Sequence, residues 1–233
     1  MIAIIDYGVG NIFSLSASLK YIGEEACLTH DKDIIHRADR VILPGVGAFA
    51  DARNKLLQSG MDKAVQSEAS DGKPILGICL GMQIAVIEYA RHVCGIADAH
   101  SGEFDEICKN KVIDFMPGQS ENIDKGGTLR LGAYPCVIAE GTTMERCYGT
   151  NEISERHRHR YEFNNDYRDI LTENGLVLSG KSPDGRLVET VELSDRPFYV
   201  GVQYHPEFKS RPNKAHPLFK GFIEAALKKQ EEK

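Results

Sequence analysis

The sequence predicts an α/β fold: a central, mostly parallel sheet flanked by helices, with antiparallel strands in the C-terminal half. Three observations carry that reading. Short apolar runs alternate with helix-patterned segments up to about residue 92. Strand-length runs joined by turn signals dominate from about residue 128. A chain of 233 residues, 42% hydrophobic, is long enough to bury one sizeable core.

In chain order, residues 2–6 form an apolar strand that runs into the turn Gly8-Val9-Gly10, and residues 11–22 an amphipathic helix ended by Gly23. Strands follow at 26–29 and 41–43, the latter stopping at Pro44. Helices are expected at 50–58 and 61–70, and a strand at 75–78 precedes a helix from Met82 to His92. In parallel sheets of this kind, sites gather beyond the carboxyl ends of strands. Residues 6–11, residues 45–49 and Cys79 all occupy such ends. Runs at 128–138, 158–164, 176–181, 187–193 and 198–204 read mainly as antiparallel strands, two of them joined by the turn Pro183-Asp184-Gly185. Residues 94–127 are the least regular, with a flexible loop expected at 118–126, and 217–229 is a closing amphipathic helix. No repeat or linker divides the chain, so residues 1–233 are expected to form a single domain.

The most informative stretch is Gly77-Ile78-Cys79-Leu80-Gly81, a cysteine between glycines at a strand-to-helix turn. Glycines suit a sharp, strained turn with close packing. The N–H groups and positive dipole end of a new helix favour an anionic sulfur. These features make Cys79 a candidate nucleophile; the plainer alternative is a buried structural cysteine. A partner lies in Val202-Gln203-Tyr204-His205-Pro206-Glu207, where an apolar strand ends. His205 and Glu207 are two apart and in extended chain project to one side. A carboxylate there fixes one imidazole nitrogen and leaves the other for the thiol, which makes a Cys79–His205–Glu207 triad.

The elbow Gly77-Ile78-Cys79-Leu80-Gly81-Met82-Gln83 and His205-Pro206-Glu207 resemble class I glutamine amidotransferases, whose triad is Cys, His and Glu and whose fold is flavodoxin-like. The two halves point to different members. Residues 1 to about 83, with Ile5-Asp6-Tyr7-Gly8-Val9-Gly10-Asn11 and Leu43-Pro44-Gly45-Val46-Gly47-Ala48-Phe49, resemble the glutaminase subunit of imidazole glycerol phosphate synthase. From about Ile84, the pieces Ser101-Gly102-Glu103-Phe104, Gly127-Thr128-Leu129-Arg130-Leu131-Gly132, Arg156-His157-Arg158-His159-Arg160-Tyr161-Glu162 and His205-Pro206-Glu207-Phe208 are similar to the glutaminase domain of CTP synthase. The combination implies a chimera, recombined or engineered, joined at the shared elbow, with natural shuffling as the alternative.

The resemblance implies hydrolysis of L-glutamine to L-glutamate and ammonia through a γ-glutamyl thioester on Cys79, with no cofactor. The Leu80 N–H is one expected oxyanion donor. The other is expected from Gly45-Val46-Gly47, by way of Val46 or Gly47, although that loop also reads as an ordinary strand-end turn. Glu103 matches a residue expected to hold the α-amino group of glutamine, and Arg160 one near its α-carboxylate. Gly45, the backbone of Leu80, Gly81 and Met82, and Gln83 are expected to line the same pocket. The plain reading of residues 156–160 is a solvated basic strand face. The loop here is Pro44-Gly45-Val46-Gly47, where the CTP synthase pattern is Pro-Gly-Gly-Phe-Gly-like, which leaves the donor geometry open. Nothing resembles a synthase domain, so an ammonia-accepting cyclase or synthase would be a separate partner.

The remaining numbers limit the classes of function. A net charge of −6 argues against nucleic acid as a bulk partner, and no apolar run approaches a membrane span of ~20 residues. Six cysteines without a C-x-x-C pair suit free thiols and a cytoplasmic setting. No metal site is expected, because His157 and His159 lack further ligands. Two rival readings are a related cysteine hydrolase acting on γ-glutamyl compounds and a folded scaffold with little activity.

Overall fold

A computed structural model describes residues 1–8, 11–45, 60–105, 107–115, 130–211 and 214–231. The helix expected at 50–58 and the loop expected at 118–126 lie outside them. Among the described residues, the main sheet has nine strands. In chain order these are β1 (Ile2–Ile5), β2 (Ala26–Thr29), β3 (Arg40–Leu43), β4 (Ile75–Ile78), β7 (Arg130–Ile138), β8 (Glu152–His159), β10 (Val177–Lys181), β11 (Val188–Glu192) and β12 (Tyr199–Val202). Their spatial order is β2-β1-β3-β4-β12-β11-β10-β7-β8. The first five are mutually parallel and the remainder antiparallel, which is the predicted α/β architecture. A second sheet joins β5 (Ala99–Ser101), β6 (Asn110–Phe115) and β9 (Tyr161–Phe163).

Helices cover the main sheet: α1 (Ile12–Tyr21), α2 (Lys32–Arg37), α3 (Met61–Ser70), α4 (Leu80–His92), α5 (Thr143–Tyr148), α6 (Arg168–Glu173) and α7 (Pro217–Glu231). The alternation of β1 explains the layering. Ile2 and Ile4 enter a cluster with Leu15, Leu19, Phe219 and Phe222, while Ala3 and Ile5 enter one with Ile35, Met61, Val65 and Leu80. Asn11 caps α1, its side chain accepting from the Ser14 N–H at 3.4 Å. Helix α4 is apolar on most sides from Leu80 to Ile87 because it lies between the two sheets, with Met82, Val86 and Ile87 packed against Val112, Ile113 and Phe163.

Several elements differ from expectation. Residues 94–127 contain β5 and β6, whose brevity and charged flanks hide any apolar period. Strand β8 begins at Glu152, earlier than predicted, because its inward positions are Glu155, His157 and His159 rather than apolar residues. Strand β12 is antiparallel to β11 but parallel to β4, so it joins the two halves of the sheet. Helices α2, α5 and α6 have six residues each, too few to show a helical period. The turn at Pro183-Asp184-Gly185 links β10 to β11 as predicted, with Gly185 at φ +72° and its N–H on Ser182 O at 2.7 Å.

Phe219 is fully buried beneath α7, whereas Leu227 on the same helix is 47% exposed. Phe219→Ala is expected to cost about 3–5 kcal/mol in urea unfolding, and Leu227→Ala no more than about 0.5 kcal/mol. Equal losses at the two positions would contradict this orientation of α7.

Candidate active site

Strand β4 is buried between β3 and β12 and ends at Cys79, which has φ 51° and ψ −104°. Among the described residues it is the one non-glycine with positive φ. Such a backbone costs ~1–3 kcal/mol and persists only where its surroundings hold it. The Cys79 N–H donates to Val202 O at 2.6 Å, and its carbonyl accepts from the Gln83 N–H at 3.2 Å. Two glycines allow the crossing. A β-carbon on Gly81 would lie 2.2 Å from Leu43 O, and one on Gly45 would lie 2.5 Å from Leu80 N. The end of β3 is therefore pressed against the first amide of α4.

Parallel pairing brings the second part of the site to this turn. Val202 is in register with Ile78, so the chain leaving β12 emerges beside Cys79. His205 follows, fully buried, with its backbone N–H on Arg156 O of β8 at 2.9 Å. Its Nδ1 lies 2.9 Å from Glu207 Oε1. The contact has a different origin from the extended geometry expected. Pro206 begins a 3-10 turn, Pro206–Phe208, and that turn swings Glu207 back to the ring. The Phe208 ring stacks on the imidazole with centroids 4.7 Å apart. Burial alone would lower the His205 pKa. The hydrogen bond and charge of Cys79, and then those of Glu207, override it and raise the pKa to about 10. The Cys79 sulfur is thus within electrostatic reach of the ring, whose Nε2 is buried without a hydrogen bond of ordinary geometry.

Glu155 anchors the segment from behind. Its Oε1 accepts from Tyr148 Oη and faces His216 Nε2, both at 3.1 Å, while Tyr148 Oη lies 3.0 Å from Tyr204 Oη. On β8 the residues alternate. Arg156 and Arg158 face solvent, as a solvated basic face would, while His157 and His159 point inward with Nδ1 and Nε2 2.8 Å apart. Burial and then the Arg130 charge push His159 down to about 3. Burial and then His159 depress His157 further. Arg130 contacts Glu189 at 2.6 Å and Glu162 at 3.5 Å.

The remaining predicted residues fall into three groups. Leu80 N is the first-turn amide of α4 beside Gly45; Val46 and Gly47 lie outside the described residues. Glu103 follows β5 in a turn where its N–H donates to Ser101 Oγ at 3.2 Å, and Arg160 lies between β8 and β9. The Glu103 residue reaches solvent, yet its carboxyl is crowded by protein. That partial burial raises its pKa to about 7 against the pull of the Arg160 charge, which puts the two side chains within electrostatic reach. Phe104, beside Glu103, packs against the clusters containing Leu80 and Met82. The Met82 and Gln83 side chains point into the interior, 0% and 3% exposed, so neither side chain lines an open pocket. Gln83 Nε2 donates to Tyr161 O at 3.0 Å.

Two residues beside the sulfur were not singled out from sequence. Gln203 Nε2 donates to Cys79 Sγ at 3.7 Å, and the signal available was a polar side chain closing an apolar strand. Tyr7 Oη donates to Pro44 O, just before Gly45. Burial and then the Cys79 charge push its pKa far up, so it remains a neutral donor. A cleft of about 650 Å³ along α3, α4 and Tyr199 is a separate feature, and its lining includes none of Cys79, His205 and Glu207.

The His205 pKa has a consequence for stability. Because the folded value of about 10 exceeds the usual 6.5, protonated His205 contributes fully below pH 6.5, and that stability is lost as pH rises towards 10. Urea unfolding of the protein is expected to weaken across this window, and less steeply for His205→Gln. Parallel pH profiles for the two proteins would contradict the assignment.

The sequence profile of the family "Glutamine amidotransferase class-I" matches residues 3–225. CTP synthases of Staphylococcus aureus, strains JH9 and N315, are each 51% identical over 195 residues, covering 84% of this chain and 35% of theirs. The chain therefore spans about a third of the length of these curated relatives. The solved glutaminase domain of Trypanosoma brucei CTPS, with bound acivicin, superposes with a TM-score of 0.84 at 29% identity, covering 97% of this chain and 93% of that one. This chain belongs to the class I glutamine amidotransferase family.

Proposed function

We propose that the chain is a single glutaminase domain that hydrolyses L-glutamine to L-glutamate and ammonia through Cys79, His205 and Glu207. The observation that carries the reading is the strained turn holding the Cys79 sulfur beside an imidazole whose other nitrogen is held by Glu207. The sulfur attacks the side-chain amide carbon. The resulting oxyanion is met by the Leu80 N–H and by a second backbone donor from Val46 or Gly47, with Tyr7 bracing the strand that leads there. Protonated His205 gives its proton to the departing ammonia and leaves a γ-glutamyl thioester. The neutral ring then takes a proton from water, which attacks the thioester carbon and releases glutamate and the sulfur. Glu207 keeps the ring oriented throughout. The Glu103 carboxylate and Arg160 guanidinium bind the α-amino and α-carboxylate groups of glutamine, and Gln83 supports that wall from behind.

The ammonia acceptor in this reading is a synthase domain or a separate cyclase, since glutaminases of this kind serve a partner. The setting is cytoplasmic, in keeping with six unpaired cysteines. Among the described residues no helix is long and apolar enough to cross a membrane. We also read the chain as a chimera, with residues 1–83 from a subunit like that of imidazole glycerol phosphate synthase and the remainder from a CTP synthase glutaminase domain. The 195-residue CTP synthase alignment is longer than the stretch from Ile84 to Lys233, so the similarity reaches back across the proposed junction. An alignment of 195 residues within a chain of 233 takes in residues 39–195, so the part that needs the first family is confined to residues 1–38 and the loop Pro44-Gly45-Val46-Gly47 lies inside the CTP synthase similarity.

Glutamate release from glutamine is expected to fall to background in Cys79→Ala and at least about 100-fold in His205→Ala. Undiminished release from Cys79→Ala would reject the reaction. Cleavage of a γ-glutamyl peptide in preference to glutamine would favour the hydrolase reading instead. Because the Glu103 pKa is raised to about 7, kcat/KM for glutamine is expected to fall below that pH by up to about tenfold per unit, as the carboxylate that binds the ammonium is lost. Glu103→Gln is expected to raise KM and abolish that acid limb. An unchanged KM in Glu103→Gln would remove the residue from the pocket.

A further inference from the structure

A hydrogen-bond chain behind the nucleophile has a forced polarity. Gln83 is 3% exposed and Gln203 fully buried, so neither amide exchanges its partners for water. The Gln83 terminal atom 3.0 Å from Tyr161 O must be its nitrogen, because a backbone carbonyl only accepts. The same nitrogen lies 3.2 Å from the Gln203 side chain, and the atom it meets there must be oxygen, because an amide nitrogen does not accept. The Gln203 NH₂ is then left facing Cys79 Sγ at 3.7 Å. The backbone locks this arrangement, since the Gln203 N–H donates to Glu189 O at 2.8 Å and Val202 is in register with Ile78.

We propose that Gln203, oriented by Gln83, is a positioning residue that presents a permanent N–H donor to the Cys79 sulfur. The inference rests on the reading of Cys79 as the nucleophile. A donor that never becomes an acceptor favours the anionic sulfur over the thiol. It acts when the sulfur must be free to attack and again when water expels it from the thioester. It does nothing for the uncharged thioester itself. The other titratable groups facing the sulfur are His205 after β12 and Tyr7 after β1, with Glu207 behind the ring. The two donors differ in kind. His205 changes protonation during turnover, whereas the amide stays constant.

The test is the rate of Cys79 alkylation by iodoacetamide in the full chain, followed by mass spectrometry from pH 6 to pH 10. Gln203→Met keeps the volume and removes the donor. Its rate is expected to be about tenfold below wild type at pH 7 and to converge with it at pH 10. Gln83→Glu does not touch the sulfur, but its carboxylate would draw the Gln203 NH₂ to itself and turn the oxygen towards Cys79. It is expected to reproduce the same profile, and the double variant to be no slower than Gln203→Met. Circular dichroism checks that each variant is folded. A wild-type profile in either folded variant would overturn the proposal. Wild-type Cys79 alkylated no faster than Cys27 at pH 7 would overturn the nucleophile reading itself, and this inference with it.

Discussion

The site depends on one backbone constraint, the sharp exit of β4 into α4 at Cys79. That residue takes a left-handed φ of 51° in a chain where the other described positive-φ residues are glycines. The strain is offset by what surrounds the turn: a strand hydrogen-bonded on both sides, and a short bond from the Cys79 N–H to Val202 O. The close approach of Gly81 to Leu43 O and of Gly45 to Leu80 N leaves no room for a β-carbon. The same contacts set the distance between the end of β3 and the start of α4. The turn therefore fixes the direction in which Cys79 leaves the strand, and it holds the Leu80 amide against Gly45.

The second organising effect is electrostatic. His205, His157 and His159 are all buried at one end of the sheet, and burial pushes each towards the neutral form. Their neighbours separate them. His205 faces a sulfur and a carboxylate and is raised, whereas the other two face each other and Arg130 and are lowered. One imidazole is thus kept charged at neutral pH and two are kept neutral within a few residues of sheet. The neutral pair hydrogen-bonds to itself on the edge strand β8, Nδ1 of His157 to Nε2 of His159, without competing with His205 for protons.

Strand β12 joins what the two parts of the sequence bring. It runs parallel to β4, which carries the sulfur, and antiparallel to β11, which opens the C-terminal half of the sheet. Parallel neighbours end at the same edge, so residues that follow the two strands meet regardless of their distance along the chain. This is how Cys79, Gln203 and His205 come together.

Much of this was readable in the residues. Apolar runs bounded by glycine and proline marked β1, β2, β3, β4 and β12, and Asn11 and Gly23 bounded α1 closely, because those signals are local. The Gly-Ile-Cys-Leu-Gly elbow announced a sharp strand-to-helix turn for the same reason: backbone strain at a turn demands particular residues there. Long-range pairing was not readable. Strand β8 was partly missed because its inward face is polar, and those side chains meet their partners, Tyr148 and His216 for Glu155 and each other for His157 and His159, only once the sheet has formed. Pro206 turned the Glu207 contact from an extended one into a 3-10 one. The inward aim of Gln83, its bond to Tyr161 O and the resulting orientation of Gln203 all depend on α4 lying between two sheets. Composition and spacing determined the elements and the reactive residue types. Packing alone decided which buried polar groups face one another, because a hydrogen bond between distant residues leaves no period in the sequence.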